Sequence, residues 1–205
     1  SEQYRTLRSN IQFSSIDQEM RTIVMTSAGP EEGKSTTAAN LAIVYAQQGS
    51  KVLLVDADLR KPTVHYSFKL ENYLGLTNLL TRQKVLSEVI NSTTIDRLFV
   101  LTSGPIPPNP SELLSSNRMS EVLSDMKEQF DYIIFDTPPV LAVTDAQILS
   151  NKVDGTILVV SSRKTEKDNA SKARDLLNNA NAHVIGAVLN NMKIEKGSPY
   201  YYYGN

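Results

Sequence analysis

The sequence predicts an α/β fold with a mostly parallel sheet flanked by helices on both faces. Short apolar runs of strand length alternate with helix-length stretches from residue 22 to residue 190. A Gly-Lys-Ser turn follows the first of these runs and opens a helix. Two later runs each end on aspartate, as Val52-Leu53-Leu54-Val55-Asp56 and Tyr132-Ile133-Ile134-Phe135-Asp136.

The elements follow in order. Residues 1–15 read as a helix, with Leu7, Ile11 and Tyr4 spaced for one apolar face. Residues 22–27 form a strand. A helix from about Lys34 to Gln48 is stopped by Gly49. A second strand covers 51–56. After Pro62 the pattern is less regular, with short helices near 75–80 and 85–90. Residues 98–102 form a third strand. Gly104-Pro105-Ile106-Pro107-Pro108-Asn109-Pro110 is a stiff loop that offers Asn109 as an N-cap, with Pro110 in the first turn and Glu112 three residues on. Then come a helix at 117–129, a strand at 131–136, a helix at 144–151, a strand at 155–161, a helix at 167–180 and a strand at 183–190. The segment 197–205, with Tyr200, Tyr201, Tyr202 and Tyr203, reads as a flexible tail. No repeat or boundary divides the chain, so residues 1–205 are expected to form a single domain.

A length of 205 residues suffices for one α/β core. The net charge of −1 gives no basic field, so no nucleic-acid partner is expected. The chain has no cysteine, which removes disulfides and thiolate metal sites and fits a reducing compartment. Its apolar runs fall far short of the ~20 residues that span a membrane. No secretory signal is present. Any membrane association is therefore expected to come through a partner. The chain opens on Ser1 rather than Met, as a fragment would.

The chemistry concentrates at the strand ends, where a parallel sheet carries its site. In Ser27-Ala28-Gly29-Pro30-Glu31-Glu32-Gly33-Lys34-Ser35-Thr36, backbone N–H groups from Gly29 to Thr36 can cradle phosphate. Lys34 would reach the β- and γ-phosphates, and the Ser35 hydroxyl would ligate magnesium. The strict motif has glycine where Ala28 stands. Glu31 and Glu32 bring two negative charges to an anion site, so both side chains are expected to point outward. Asp136 at the end of its strand suits a magnesium ligand, held directly or through water. Asp56 and Asp58 suit a second metal-shell ligand and a base, because a cation between them relieves their repulsion. Arg60 and Lys61 either bind an acidic substrate or phosphate, or lie in solvent. His65 and His183 have no metal spacing and read as structural or surface groups. Glu166, Lys167, Asp168, Lys172 and Arg174 read as a solvated helix face. Glu2, Arg5 and Arg8, taken alone, read as intrahelical pairing.

Taken together, the phosphate loop at 27–36, Asp56-Ala57-Asp58-Leu59-Arg60-Lys61-Pro62 and Asp136-Thr137-Pro138-Pro139 resemble the bacterial tyrosine kinases of capsule and exopolysaccharide synthesis. So do Gly104–Leu113 and the Glu2-x-x-Arg5-x-x-Arg8 pattern. The similarity covers essentially the whole chain. It implies a P-loop NTPase-like sheet, ATP and magnesium as cofactors, and transfer of phosphate to tyrosine. It also implies that Tyr200–Tyr203 are phosphorylated between subunits of a ring, an octamer built through Glu2, Arg5 and Arg8. Tyrosines on other proteins would be further acceptors. The activator would be a separate membrane-spanning modulator that recruits a cytoplasmic kinase to the inner face of the membrane. On this reading Asp56 takes the tyrosine proton and Asp58 joins Ser35 and Asp136 around magnesium, with the order of the two aspartates open. The departures from the family pattern are Ala28 and Glu31.

The strongest alternative is an ATPase switch of the partitioning or division-site class. Its signature lysine would stand at position 29, which is Gly29 here. A non-catalytic, nucleotide-gated scaffold is a third reading.

Overall fold

The structure is a computed structural model and describes residues 1–193. Helix α1 (Glu2–Phe13) precedes β1 (Thr22–Ser27), α2 (Lys34–Ala46), β2 (Val52–Asp56), α3 (Val64–Phe68), α4 (Leu76–Leu80) and α5 (Leu86–Val89). Then come β3 (Asn91–Ser92), β4 (Leu98–Leu101), α6 (Pro110–Ser115), α7 (Asn117–Gln129), β5 (Tyr132–Asp136), α8 (Asp145–Ser150), β6 (Gly155–Ser161), α9 (Lys167–Asn179) and β7 (Val184–Asn190). The strands form one seven-stranded sheet in the order β3-β4-β2-β5-β1-β6-β7. Six strands run parallel, and the short β3 is antiparallel to β4.

The central strands are buried on both faces, which is why they read as unbroken apolar runs. Successive side chains point to opposite faces. Val24, Leu53, Val55, Ile133 and Phe135 pack with Leu79, Leu114, Met119, Val122 and Met126 of α4, α6 and α7. Ile23, Met25, Leu54 and Ile134 pack with Ile11 of α1 and Leu41 and Tyr45 of α2. Ala173 and Leu177 of α9 meet Ala146 of α8 and Leu158 of β6. Each elongated helix thus shows one apolar stripe to a sheet face.

The expected strands and long helices lie within about two residues of their anticipated bounds. Helix α3 and strand β3 were not anticipated. Helix α3 is a single turn directly behind Pro62, closed by Lys69 in the left-handed region at φ 53°. Asn109 does stand at the N-cap of α6, but its side chain donates to Glu112 Oε2 (3.1 Å) rather than capping a backbone N–H. The tyrosine segment 200–203 lies outside the described residues.

Gly75 opens α4 where two backbones nearly touch. A Cβ there would stand 2.1 Å from Thr102 O and 2.4 Å from Gly104 N. Both neighbours are main chain and cannot step aside. Gly75→Ala is expected to cost about 2 kcal/mol or more in unfolding free energy, read from the denaturant midpoint, while Gly49→Ala costs only about 1 kcal/mol, from its φ of 94°, because nothing lies within 4 Å of its Cβ.

Candidate functional site

Parallel register sets the site. On β5 and β1 Asp136 is paired with Met25, and on β2 and β5 Asp56 is paired with Asp136. The loop after β1 therefore rises beside two carboxylates that share one level of the sheet. A cleft of about 360 Å³ opens there, walled by residues 30–36 and by Asp58, Lys61, Thr63 and Pro139.

The loop runs into α2 through Gly33 at φ 87°. A side chain at 33 would be strained by that dihedral and would strike the Asn190 amide, 1.9 Å from its Cβ. The N–H groups at the first turn of α2 have no intrahelical acceptor and face the cleft, as an anion cradle requires. Ala28 is 1 % exposed and packs with Val140 and Leu158. The departure at 28 is thus accommodated in the core, away from the cradle. Glu31 occupies the left-handed region at φ 57°, where glycine is the easier residue.

The two glutamates behave differently. Glu31 points outward and pairs with Lys164 (2.5 Å), which holds its carboxyl below the usual range. Glu32 does not point outward, contrary to expectation. It is 5 % exposed and folds under the loop. Its Oε2 accepts from Gly29 N–H (3.0 Å) and its Oε1 from the Thr165 hydroxyl (2.5 Å). Gly29 N–H is thereby taken by protein, which corrects its place among the phosphate donors. The inward turn answers a buried N–H that would otherwise lack a partner.

Lys34 reaches across the loop. Its Nζ lies 2.9 Å from Asp136 Oδ1 and 3.2 Å from the Ser35 hydroxyl. Asp136 is fully buried, and burial pushes its carboxyl up while Lys34 opposes that shift. Its Oδ2 has no partner. A buried carboxylate oxygen without a donor, beside a hydroxyl and an ammonium, marks a position that demands a cation. A magnesium ion brought by a nucleotide fits this donor set. Among the described residues no three His, Cys, Asp or Glu side chains group to hold a metal by themselves, so water or phosphate oxygens would complete the shell.

Asp56 and Asp58 are not equivalent. Asp56 is fully buried, and its oxygens accept from the N–H groups of Asp58 (3.2 Å), Thr63 (3.0 Å) and Val64 (3.0 Å). Desolvation, then the Asp136 charge, pushes its pKa up to about 7. Asp58 is 7 % exposed and forms part of the cleft wall. The anticipated base is thus the more enclosed of the pair, because three main-chain donors hold it inside its own turn.

Arg60 is held by protein. Its guanidinium forms a two-pronged ion pair with Asp145 (2.9 and 3.0 Å), a partner 85 residues away that the sequence did not reveal. Lys61 is exposed at the cleft. His65 stacks on Tyr66 (4.0 Å between ring centres), and His183 Nδ1 lies 3.0 Å from Asp154 O. The charged face at 166–174 is exposed, as anticipated. On α1, Arg5 donates to Glu2 (2.5 Å), whereas Arg8 is 8 % exposed and donates to Val44 O (3.2 Å). Six residues stop a helix about 120° short of two whole turns, so Arg8 faces α2 rather than sharing the outer face of Glu2 and Arg5.

A phosphate loop behind a central strand, with acidic residues closing its neighbours, defines a P-loop nucleotide-binding protein. A family model described as an AAA domain matches residues 20–180. The chain is 56 % identical over 204 residues to the tyrosine-protein kinase YwqD of Bacillus subtilis, covering 100 % of this chain and 86 % of that protein. It is 45 % identical over 203 residues to the putative tyrosine-protein kinase CapB of Staphylococcus aureus, covering 99 % and 89 %. The kinase domain of the Escherichia coli tyrosine kinase ETK superposes with a TM-score of 0.90 at 34 % identity, over 96 % of this chain and 77 % of that one. The chain belongs to the bacterial tyrosine-protein kinase family. A cell-division ATPase MinD of Pyrococcus furiosus shares the fold at a TM-score of 0.70 and 26 % identity, over 83 % of this chain and 72 % of that one.

The Glu32 latch predicts a stability contrast. Thr165→Val removes the hydroxyl from a buried carboxylate and is expected to cost about 1–3 kcal/mol by chemical denaturation. Lys164→Ala, which removes only the exposed partner of Glu31, leaves the midpoint unchanged within error.

Proposed function

We propose that this family member is an ATP-dependent tyrosine-protein kinase that modifies its own C-terminal cluster, Tyr200, Tyr201, Tyr202 and Tyr203, between subunits. It also modifies tyrosines of other proteins in capsule or exopolysaccharide synthesis and export. The observation that carries the reading is the Lys34–Asp136–Ser35 cluster beneath the cleft, with Asp136 Oδ2 unpartnered. Family membership turns that cation site toward phosphoryl transfer to tyrosine.

Phosphoryl transfer needs positioning and charge neutralisation. On this reading the N–H groups at 31–36 hold phosphate oxygens, and Lys34 exchanges Asp136 for the β- and γ-phosphates. Ser35 and Asp136 hold magnesium, with Asp58 beside them, and the ion supplies charge neutralisation at the phosphates. Asp58, the aspartate in the cleft wall, is the better placed of the pair to accept the tyrosine proton, because reach decides a general base before pKa does. The phenolic oxygen bonds to the γ-phosphorus, the bond from that phosphorus to the β,γ-bridging oxygen breaks, and ADP leaves. Asp56 buttresses the turn and shares its charge environment with Asp136. This ordering gives Asp58 the base role first assigned to Asp56, in a pair whose order the sequence left open.

The remaining assignments rest on the family. The acceptor tail enters the cleft of a neighbour in a ring, an octamer, with Glu2 and Arg5 of α1 on the exposed face and Arg8 fixing the helix to α2. A membrane-spanning modulator activates the kinase and recruits it from the cytoplasm to the inner face of the membrane. Among the described residues no helix is long and apolar enough to cross a membrane, which is in keeping with a separate anchor. Each phosphotyrosine adds about −1.5 to −2 charge, so heavy phosphorylation of neighbouring tails is expected to weaken the ring or the modulator contact.

Incubation with γ-labelled ATP and magnesium, with and without a modulator fragment, is expected to place label on residues 200–203, as mapped by mass spectrometry. Lys34→Met removes the label, and Asp58→Asn lowers the rate by about 10²-fold or more. Label appearing only as free phosphate under both conditions overturns the kinase reading in favour of an ATPase switch. Nucleotide binding with neither product leaves the scaffold.

A further inference from the structure

The ion pair between Arg60 and Asp145 joins two segments that the sheet does not join. Asp145, the first residue of α8, is fully buried. Its Oδ2 accepts from Arg60 Nε (2.9 Å), and its Oδ1 accepts from Arg60 Nη2 (3.0 Å) and from the Ser111 hydroxyl (2.7 Å). Ser111 Oγ in turn accepts from Arg60 Nη2 (3.0 Å). Three stretches of chain therefore meet at one carboxylate. They are the turn after β2, the segment after β5 and the first turn of α6, which follows the proline-rich loop.

Two of these stretches carry aspartates of the site. Asp136 closes β5, and the chain from 137 leads directly to Asp145. Asp58 lies two residues beyond β2, where strand pairing no longer fixes it. Its Oδ1 accepts from the main-chain N–H groups of Arg60 (3.2 Å) and Lys61 (2.9 Å). The side chain of Asp58 is thus set by the main chain at 60–61. That main chain is anchored inward by the fully buried Leu59 and sideways by the Arg60 guanidinium. Stability alone is a poor reason for such a pair, because an apolar replacement of a buried ion pair is often as stable or more so. What an apolar pair lacks is a fixed, two-pronged geometry.

We propose that Arg60, Asp145 and Ser111 are positioning residues for phosphoryl transfer: they form a clamp that sets where Asp58 stands relative to Asp136 in the cleft. The proposal rests on the roles given above to Asp58 and Asp136. None of the three touches the reacting atoms. The clamp works through the turn it holds, so its loss moves Asp58 while leaving the phosphate loop at 30–36 intact.

The test is steady-state transfer to a tyrosine acceptor by the full chain with its modulator fragment, comparing wild type, Asp145→Asn, Arg60→Lys and the double variant, with Ser111→Ala beside them. Asp145→Asn and Arg60→Lys each keep a polar side chain of similar size but lose the charged two-pronged pairing. Each is expected to lower kcat about tenfold or more while KM for ATP stays within about threefold. The double variant is expected to be no slower than the slower single, because both break one unit. Ser111→Ala leaves no unpaired buried charge, so it reads the clamp in a folded protein even where Asp145→Asn does not fold; a fall in kcat at constant KM is expected. Unchanged kcat in these folded variants overturns the clamp. So does a rise in KM for ATP at constant kcat, or single effects that multiply in the double. Asp58→Asn run in parallel separates the two levels. If it is inactive while the clamp variants match wild type, the clamp alone is wrong. If it matches wild type, the reading beneath the clamp fails and the clamp with it.

Discussion

The register of β2, β5 and β1 is the constraint on which the rest depends. It pairs Asp56 with Asp136 directly across neighbouring strands and brings the phosphate loop up beside them. Burial pushes both carboxyls toward their protonated forms, with the Asp136 charge adding to the shift at Asp56 and the Asp58 charge adding to that at Asp136. The structure relieves this in two ways. Asp56 turns into its own loop and takes three main-chain N–H groups, and Asp136 takes the ammonium of Lys34. Removing one member of such a pair leaves an uncompensated buried charge, at a cost of about 3–5 kcal/mol. The Lys34–Asp136 pair thus ties the phosphate loop to the end of β5.

Around that centre, the loops are secured by ties at long sequence separation. Glu32 joins the phosphate loop to the segment after β6 through Thr165, and Asn190 at the end of β7 donates to Glu32 O (3.3 Å). Arg60 joins the turn after β2 to α8 and α6. Each tie spends a charged or polar side chain on geometry. Strand ends become a site only when the loops leaving them are held, and here they are held by side chains from other loops rather than by the sheet.

How much of this the sequence disclosed follows from the range of each interaction. The central strands were legible because burial on both faces makes them unbroken apolar runs, and α2 because glycines bracket it. That Lys34, Ser35, Asp58 and Asp136 would gather at one place was legible because phosphate chemistry ties residue types to fixed spacings. The enclosure of Asp56, which leaves Asp58 in the cleft wall, was not, since it depends on which carboxylate the following turn captures. Nor was the inward fold of Glu32, whose second partner stands at position 165. Asp145 gave no local signal at all: an aspartate in the first turn of a helix is unremarkable until Arg60 is seen upon it. Arg8 looked like a neighbour of Glu2 and Arg5 in sequence, but the helix carries it round to α2.

On the proposed function, the Lys34 ammonium, bonded to Asp136 Oδ1 and the Ser35 hydroxyl, gives those two groups up to the metal when phosphate draws it away. Titration of nucleotide-free protein with Mn²⁺, followed by the electron paramagnetic resonance of the free ion, tests it most directly. Lys34→Met is expected to bind one Mn²⁺ about tenfold or more tightly than wild type, because Ser35 and Asp136 are released to the ion. Equal affinity in the two proteins, with Lys34→Met folded, would contradict it.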